Sequence, residues 1–486
     1  MHGGGTGRRR TNERLGKDGE FVARSIDRDT VTLPEPSLAT RRLFMATFAE
    51  DMECIRNECR RELLEEVMPF WNTHGVDAEH GGFICGLGHA GNVVDDSKFA
   101  WYQGRGVWVY CKLYEVTGDK KLLDIARMTV AFILEHCCVY ESSSVVGVFN
   151  YDPLSKPDNQ HIKDMWTVVA RDGSFIEGRT EIDNVGYALM FLAEGLQELA
   201  RFETDTVQRQ SYLKWSVELV KTFVARANAP SRNAPETYLL SQPYQKGTRT
   251  LGHSMIPLRF CTQALRQHSK AALGNGNHEY LNGLAEACVK NIMEHHYDAK
   301  WGLLREELDH DFQPLNAPTL FYLGHAIECL WFVIDEATRV KNPELVDQAA
   351  VRLKRHATVA WDELCGGLIR GITIEADHND KFMFDKVAWV QQEALVGTML
   401  CIERCRDPAV VEWATGYFQK LYSWVREKFP LSARLGPGTP LWLVGGDREV
   451  TFQEEYSFGD AGLKSRKENY HHPRTLLMLS GMMSTS

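Results

Sequence analysis

The sequence lacks long apolar runs, an excess of positive charge and the C-x-x-C motif, each of which is typical of another class of protein. It contains no uninterrupted apolar run long enough to span a bilayer, so no membrane partner is expected. It also has no excess of positive charge, because 55 basic residues stand against 65 acidic ones and the formal net charge is −10. Since a polyanion needs a broad cationic surface, nucleic acid is not an expected partner either.

The cysteine pattern argues against zinc and redox-dithiol sites. The twelve cysteines are single except for the adjacent pair Cys137 and Cys138 and the loose pair Cys401 and Cys405, and no C-x-x-C occurs. This usage is typical of reduced, mostly buried thiols in a cytosolic protein. We therefore expect a cytoplasmic location.

What the chain does contain is material for a large core. Its 486 residues are 44% hydrophobic and 10% aromatic, as in globular proteins. Residues 1–35 include a basic run without an apolar stretch suited to export, and their Gly, Arg and Asn content predicts a disordered leader. We predict one folded domain over residues 36–486.

From residue 36 onward, apolar residues recur at three- and four-residue spacing between Gly, Pro and Asn clusters, which predicts paired helices. Inner helices of such an array are apolar nearly all round, as residues 188–199 and 326–334 are. Twelve helices in six hairpins close naturally into an all-α toroid. They are predicted near 38–70, 98–117, 119–138, 181–203, 206–227, 249–268, 277–298, 319–338, 342–361, 384–406, 409–428 and 473–484.

Three turns share a pattern just after outer helices. Residues 77–87, 298–308 and 362–372 each combine an acidic residue, glycine and aliphatic residues, which predicts short β-hairpins on one rim of the ring. Residues 86–91 also match G-x-G-x-x-G, but no predicted helix opens there and no βαβ unit surrounds them. We interpret this stretch as a hairpin turn and predict no dinucleotide site.

A predicted inner helix carries a histidine and a carboxylate. His325 and Glu328 are three residues apart and share a helix face. Histidine suits proton transfer near neutral pH, and a neighbouring carboxylate can fix its tautomer and hold its charge. The pair can equally satisfy only itself or nearby backbone. A metal site lacks support, since no H-E-x-x-H occurs.

Two other predicted inner helices carry residues suited to a sugar. Arg105 interrupts the aromatic-rich tract 101–115, where a fixed cation can meet a sugar oxygen that gains negative charge, or where its stem can simply pack. Gln392 and Glu393 suit hydroxyl recognition, with exposed polar spacing as the alternative. Three tryptophans could stack on sugar faces or belong to the core: Trp101, Trp301 and Trp389.

Together these tracts resemble the N-acylglucosamine 2-epimerase family, which also contains cellobiose 2-epimerases and aldose-ketose isomerases. The resemblance covers about residues 40–484 and implies an (α/α)6 barrel. The matching pieces, in order, are WYQGRGVWVYCKLYE, DNVGYALMFLAEGLQELA, GHAIECLWF, KVAWVQQEAL and YHHPRTLL.

The resemblance also implies the site. It assigns the catalytic roles to His325 with Glu328, to His471, and to Arg105, while His472 packs or binds at the rim. An open-chain sugar would lose its C2 proton to one histidine and regain one from the other, through an enediolate held by Arg105. No nicotinamide, flavin or metal cofactor is required. The expected substrate pair is N-acetylglucosamine and N-acetylmannosamine, with mannose–fructose isomerisation or cellobiose epimerisation as alternatives.

Two stretches depart from the family pattern. Residues 430–467 form a longer connection than usual beside the expected site, which bears on substrate choice, and residues 228–245 form a long rim connection.

Two rival functions also remain open. A glycoside hydrolase would need paired carboxylates, for which Glu181, Asp183 and Glu328 are the candidates. A non-catalytic member would bind proteins, and the toroid's outer surface also allows a homodimer.

Overall fold

The structure is a computed structural model. It describes residues 38–140, 162–183, 186–230, 246–315, 319–374, 383–436, 439–451 and 467–483, with side chains from residue 48 onward. The predicted leader, 1–35, and most of the predicted rim connection, 231–245, lie outside the described residues.

The chain divides at Glu50 into two units. Within the first, the described residues 38–50 are helical, and the second is the compact unit Asp51–Ser486. The single domain over 36–486 therefore stays a prediction. No helix within the described ranges combines the length and apolarity that a membrane crossing needs.

Twelve main helices occur within the described residues, at the positions the periodicity predicts. Capping residues define several helix ends. Gly118 ends one helix in the left-handed conformation, and the side chains of Asp119 and Asp205 cap the N-termini of two others. Short π-helical segments extend α1, α3 and α7. The helices are α1 Leu38–Arg61, α2 Ala100–Thr117, α3 Lys120–Phe132, α4 Tyr187–Ala200, α5 Thr206–Ala227, α6 Gly252–Gln267, α7 Asn275–Lys290, α8 Leu323–Arg339, α9 Pro343–Ala360, α10 Ala388–Arg404, α11 Pro408–Lys428 and α12 His471–Leu479.

The even-numbered helices form a closed inner ring. Each of α2, α4, α6, α8, α10 and α12 packs on the next, and the odd-numbered helices α3 to α11 pack behind them. The ring closes where the Asn469 side chain donates to the Tyr102 carbonyl at 3.1 Å and the rings of Trp108 and Tyr470 meet edge to face. The predicted (α/α)6 barrel is thus confirmed.

Glycine permits the close approach of α2 and α4. A Cβ built on Gly104 would lie 2.5 Å from the Phe191 carbonyl carbon, far inside van der Waals contact. Gly195 faces the Gly104 carbonyl from the other helix, where a Cβ would lie at 3.0 Å. Because both positions lack a side chain, the two inner helices pack backbone against backbone.

The strands are short and join the helices in seven antiparallel pairs within the described residues. Of the three predicted hairpins, that at 298–308 holds the β8–β9 pair, and the other two hold the isolated bridges Val76–Phe83 and Trp361–Leu368. The stretch 86–91 forms the turn of a hairpin. The pairs are β1 Gly86–Leu87 with β2 Val93–Asp95, β3 Lys98–Phe99 with β6 Val168–Val169, β4 Cys138–Tyr140 with β5 Ile162–Met165, β7 Arg249–Thr250 with β10 Glu307–Leu308, β8 Tyr297–Asp298 with β9 Leu303–Leu304, β11 Thr319–Phe321 with β12 Ile372–Ile374, and β13 Lys386–Val387 with β14 Gly445–Gly446.

Buried polar contacts fix the first turn against the start of α2. The ammonium group of Lys98 lies 2.9 Å from the Asp77 carboxylate, which Arg171 also holds through two hydrogen bonds of 2.9 Å. The Gln103 amide accepts from the Phe83 N–H at 2.7 Å and donates to its carbonyl at 2.9 Å. A buried charge is stable only when paired in this way.

The same device recurs at the start of α10. The Lys386 ammonium group lies 2.9 Å from Asp362, and Arg448 holds that carboxylate at 2.7 and 2.9 Å. Gln391 pairs with the backbone N–H and carbonyl of Leu368, each at 2.8 Å. The two inner helices therefore begin from equivalent, rigidly held turns, which is an internal repeat of the barrel.

Candidate active site

A central cavity of about 240 Å³ opens among the inner helices, and all six of them contribute to its lining. Loop residues complete the wall, among them Leu441 to Val444, so this described part of the stretch 430–467 lies beside the site as expected. Its lining includes both charged and aromatic side chains.

The structure brings most of the predicted site residues together. Trp301 is an exception, because it lies in the β8–β9 turn, where its carbonyl accepts from Arg355 at 3.2 Å. Glu393 lies behind the wall, fully buried. The predicted residues that line the cavity are Trp101, Arg105, His325, Glu328, Trp389, Gln392 and His471.

His471 is the first residue of α12, and two carboxylates hold it. Glu468 accepts from the His471 backbone N–H at 2.5 Å and so fixes the start of the helix. Glu393 lies 2.7 Å from the imidazole Nδ1. A carboxylate accepts only from an N–H, so this contact favours the tautomer with the proton on Nδ1 and leaves Nε2 as the basic nitrogen. Glu393 is therefore a positioning residue.

Arg474 stands among the acidic groups behind His471. Its guanidinium contacts Glu393 and lies 3.3 Å from Glu328 and 3.1 Å from the His471 Nδ1. One ligand atom each from Glu328, Glu393 and His471 falls within 4.8 Å, a spacing that could hold a metal ion. Because the guanidinium contacts all three, it already supplies a positive charge at this spot.

His325 lies on the α8 side of the cavity, and its partner is not the predicted one. Its Nδ1 lies 3.0 Å from Glu306, which comes from the connection between β9 and β10. Glu328 shares the helix face but reaches Arg474 instead, so the expectation that it fixes the tautomer of His325 is wrong. The alternation of buried Leu304, Glu306 and Leu308 was the signal that could have revealed Glu306.

The surroundings push the two imidazoles apart in basicity. Burial, together with the nearby charge of Arg474, lowers the pKa of His471 to about 3. Burial also disfavours the charged form of His325, but the carboxylate of Glu306 outweighs it and raises the pKa of His325 above its usual value. At neutral pH one histidine is thus neutral, while the other favours its proton.

Trp389 is a common neighbour of both histidines. Its ring centroid lies 5.5 Å from that of His325 and 5.7 Å from that of His471. The equivalent start of α2 places Trp101 on the cavity lining as well. Two tryptophans thus offer flat apolar faces to the space that the histidines border.

Arg105 enters the cavity between aromatic rings. Its guanidinium carbon lies 4.1 Å from the Phe191 ring centroid and 4.6 Å from that of Tyr470. Its nearest acid is Glu468, 3.8 Å away. Because the aromatic rings hold the guanidinium in place and no close carboxylate neutralises it, its charge is available to stabilise negative charge that develops on a substrate.

His472, the neighbour of His471, is held in a different environment. The centroid of its ring lies 4.5 Å from that of Trp442, and its Nε2 lies 3.3 Å from Glu62.

Two of the three carboxylates that a glycoside hydrolase could use lie off the cavity lining, namely Glu181 and Asp183. Asp183 accepts from the Ala188 N–H at the start of α4. Sequence reasoning missed three polar groups of the site: Glu306, Arg474 and the pair Glu194–Arg259.

Comparison with solved structures supports the fold. The fold resembles a sugar epimerase from a ruminal bacterium (TM-score 0.64, 18% identity, 88% of this chain and 99% of that one). It also resembles a cellobiose 2-epimerase from Bacillus thermoamylovorans (0.64, 19%, 88% and 99%) and a D-mannose isomerase (0.59, 15%, 92% and 100%). At these identities the likeness establishes the fold, that of the (α/α)6-barrel sugar epimerases.

Sequence comparison supports the family resemblance. The family model for N-acylglucosamine 2-epimerase matches residues 271–428. The mouse N-acylglucosamine 2-epimerase is 26% identical over 72% of this chain and 76% of its own length, and the human enzyme over 72% and 74%. A cellobiose 2-epimerase from Bacteroides fragilis is 23% identical over 71% and 81%. These matches support the resemblance to the N-acylglucosamine 2-epimerase family, and they indicate a sugar epimerase, hence an isomerase.

Proposed function

We propose that the protein interconverts N-acetylglucosamine and N-acetylmannosamine, with His325 and His471 as its acid/base pair. The observation that carries the proposal is the pair of imidazoles on one cavity, each held by a carboxylate at Nδ1 and shifted in opposite directions. The choice of sugar is supported by the mouse and human relatives, whose name specifies an N-acylglucosamine.

The chemistry begins with ring opening. A C2 hydrogen becomes acidic only when C1 is a carbonyl, because the carbanion is then delocalised as an enolate onto the C1 oxygen. Neutral His471 accepts that proton on Nε2, since its Nδ1–H donates to Glu393. Glu393 also accepts from the Trp331 indole at 2.8 Å and from Arg474, so the imidazole cannot turn without breaking this network.

Proton return comes from the other side. His325, which favours its proton, delivers it to the opposite face of C2 and so inverts that centre. For the reverse reaction the two roles exchange, because a single proton is shared by the pair in either direction. For a sugar with a C2 hydroxyl the intermediate would be an enediolate, and delivery of the proton to C1 would then give a ketose.

Arg105 stabilises the intermediate. Its guanidinium lies on the cavity lining between aromatic rings, where its positive charge can act on the enolate oxygen at C1. Replacing Arg105 with Met should lower kcat on the order of 100-fold with a smaller change in KM, as expected for an interaction made mainly in the transition state.

Proton NMR in D2O tests the proposal. The purified full-length protein is mixed separately with N-acetylglucosamine, N-acetylmannosamine, mannose, glucose and cellobiose. Loss of the C2 proton signal together with the new epimer of an N-acetylated sugar is the expected result. Turnover of cellobiose or mannose alone would contradict the choice of sugar, and no turnover of any sugar would contradict the epimerase itself.

His472 supplies an internal control for the assignment. His472→Asn should keep turnover within tenfold of wild type, because its ring is held by Trp442 and Glu62. His278→Asn, on the outer helix α7, should leave turnover unchanged. Loss of activity in His472→Asn with retention in His471→Asn would reverse the roles of the two neighbours.

A further inference from the structure

The inner part of the cavity holds a buried ion pair that the proton transfers do not use. Glu194 on α4 and Arg259 on α6 both line the cavity, with 3.1 Å between the Arg259 Nη1 and the Glu194 Oε2. Each is the eighth residue of its helix, whereas His325 is the third residue of α8. The pair thus lies more than one helical turn further from the start of its helices than the histidine does from the start of α8.

The pair is incomplete. The Glu194 Oε1 and the Arg259 Nε and Nη2 have no hydrogen-bond partner among the described residues. Both side chains are almost inaccessible, with residue exposures of 1% and 5%. Burial raises the pKa of Glu194 and lowers that of Arg259 to about 10. Because unsatisfied buried polar atoms are costly, the three free positions are suited to a ligand.

The neighbouring side chains narrow the choice of ligand group. Phe191 lies one helical turn before Glu194, and Met255 one turn before Arg259, and both line the cavity. An amine would meet the Arg259 charge and a carboxylate the Glu194 charge, so a neutral group fits best. A secondary amide offers an N–H for the carboxylate, a carbonyl for the guanidinium and a methyl for the apolar wall.

The geometry points to Glu194 and Arg259 as the subsite for the acylamino group of the sugar. Arg259 donates to the acyl carbonyl, Glu194 accepts from the amide N–H, and the acyl methyl contacts Phe191 and Met255. This inference rests on the proposed function and names the residues that make the site prefer N-acylated sugars over unsubstituted ones. A hydroxyl in place of the amide would leave part of the pair unpaired and the apolar wall uncovered.

Two unreactive open-chain ligands test the subsite by titration calorimetry. They are 2-acetamido-2-deoxy-D-glucitol and D-glucitol, which differ only at C2 and cannot be epimerised. Wild type is compared with the double variant Glu194→Leu/Arg259→Met, which leaves the net charge unchanged. It is also compared with Arg259→Lys, which keeps the positive charge but loses the several N–H donors of the guanidinium. The matched control, Lys112→Met/Glu198→Gln, removes another buried pair between α2 and α4, 3.0 Å apart and off the cavity lining.

The double variant should bind the acetamido alditol on the order of 100-fold more weakly and D-glucitol within about threefold of wild type. Arg259→Lys should bind the acetamido alditol about tenfold more weakly than wild type and should bind D-glucitol unchanged. Thermal unfolding confirms that each variant is folded. An equal loss for both alditols, no loss for either, or the same selective loss in the control would overturn the subsite.

The two proposals can fail separately. A wild type that prefers the acetamido alditol but exchanges no C2 hydrogen of any sugar would reject the epimerase assignment and keep the subsite. A wild type that epimerises a sugar but binds both alditols alike would reject the subsite alone.

Discussion

His325 and His471 bring the same imidazole to one cavity with opposite proton affinities. Glu306 is the charge that favours the imidazolium of His325, and Glu328 adds to it while Arg370 opposes it. Around His471, burial and the guanidinium groups of Arg474 and Arg105 outweigh the acids Glu468 and Glu328. The difference between the two residues therefore comes from their neighbours and not from the histidines themselves.

The pH profile of kcat/KM should follow from these directions. Between pH 5 and 6.5 it should be flat, because His471 has lost its proton well below this range and His325 still holds its own. Above the raised pKa of His325 the rate should fall. Steady-state kinetics in overlapping buffers measure this profile. A kcat/KM that rises steadily from pH 5 to 9 would contradict the assigned protonation states.

Glu306→Gln should move the alkaline limb of that profile. Removal of the carboxylate takes away the charge that raises the pKa of His325, so the limb should shift to lower pH. The exposed Glu286→Gln on α7 is the matched control and should leave the limb in place. An unshifted limb in Glu306→Gln would mean that His325 is not the group that titrates.

At the level of elements, the α2–α4 crossing depends on Gly104. An added methyl would lie 2.5 Å from the Phe191 carbonyl carbon, which is backbone and cannot turn away. Gly104→Ala should therefore cost about 1–3 kcal/mol in the free energy of unfolding. Gly283→Ala, on the exposed face of α7 with nothing within 4 Å, should be neutral or stabilising. Chemical denaturation of both variants measures the difference, and equal stabilities would contradict the tight crossing.

The turns before α2 and α10 should make the fold sensitive to acid. Burial alone would favour the protonated carboxyl, but hydrogen bonds from Arg171 and Lys98 hold the pKa of Asp77 well below its usual range. A depressed pKa gives stability that is present above the unfolded value, about 3.9, and is lost as the pH falls below it. Thermal unfolding midpoints should drop steeply below about pH 4.

Asp77→Asn tests the same turn at neutral pH. It leaves the fully buried Lys98 ammonium without its counter-charge, which should cost about 3–5 kcal/mol. The variant should also lose part of the acid-dependent fall, and Asp362 with Lys386 and Arg448 should keep the rest. An Asp77→Asn protein as stable as wild type would show that the triad contributes little.

Across the whole molecule, the ring of helices follows from the sequence more readily than the chemistry within it. The three- and four-residue periodicity and its breaks predict all twelve main helices of the described chain, because each must bury an apolar face. It does not predict which side chains meet across the ring. Arg259 and Glu194 are 65 positions apart and become partners only when α4 and α6 pack.

Local spacing also misled at particular residues. Glu328 shares a helix face with His325, yet a carboxylate 19 positions upstream is the partner of that imidazole. Trp301 resembles the other tryptophans in sequence but lies in a turn beside the outer helix α9, where it contacts Arg355. Tertiary contacts, which spacing alone does not encode, decide both cases.

The central claim is that two histidines serve opposite faces of C2, and C2 hydrogen exchange in D2O tests it most directly. Wild type, His325→Asn and His471→Asn are each given the two epimers of the sugar that wild type converts. Each variant should lose interconversion but still exchange the C2 hydrogen of one epimer, and the two variants should differ in which epimer that is. Exchange of the same epimer by both variants, or interconversion at the wild-type rate by either, would contradict the account.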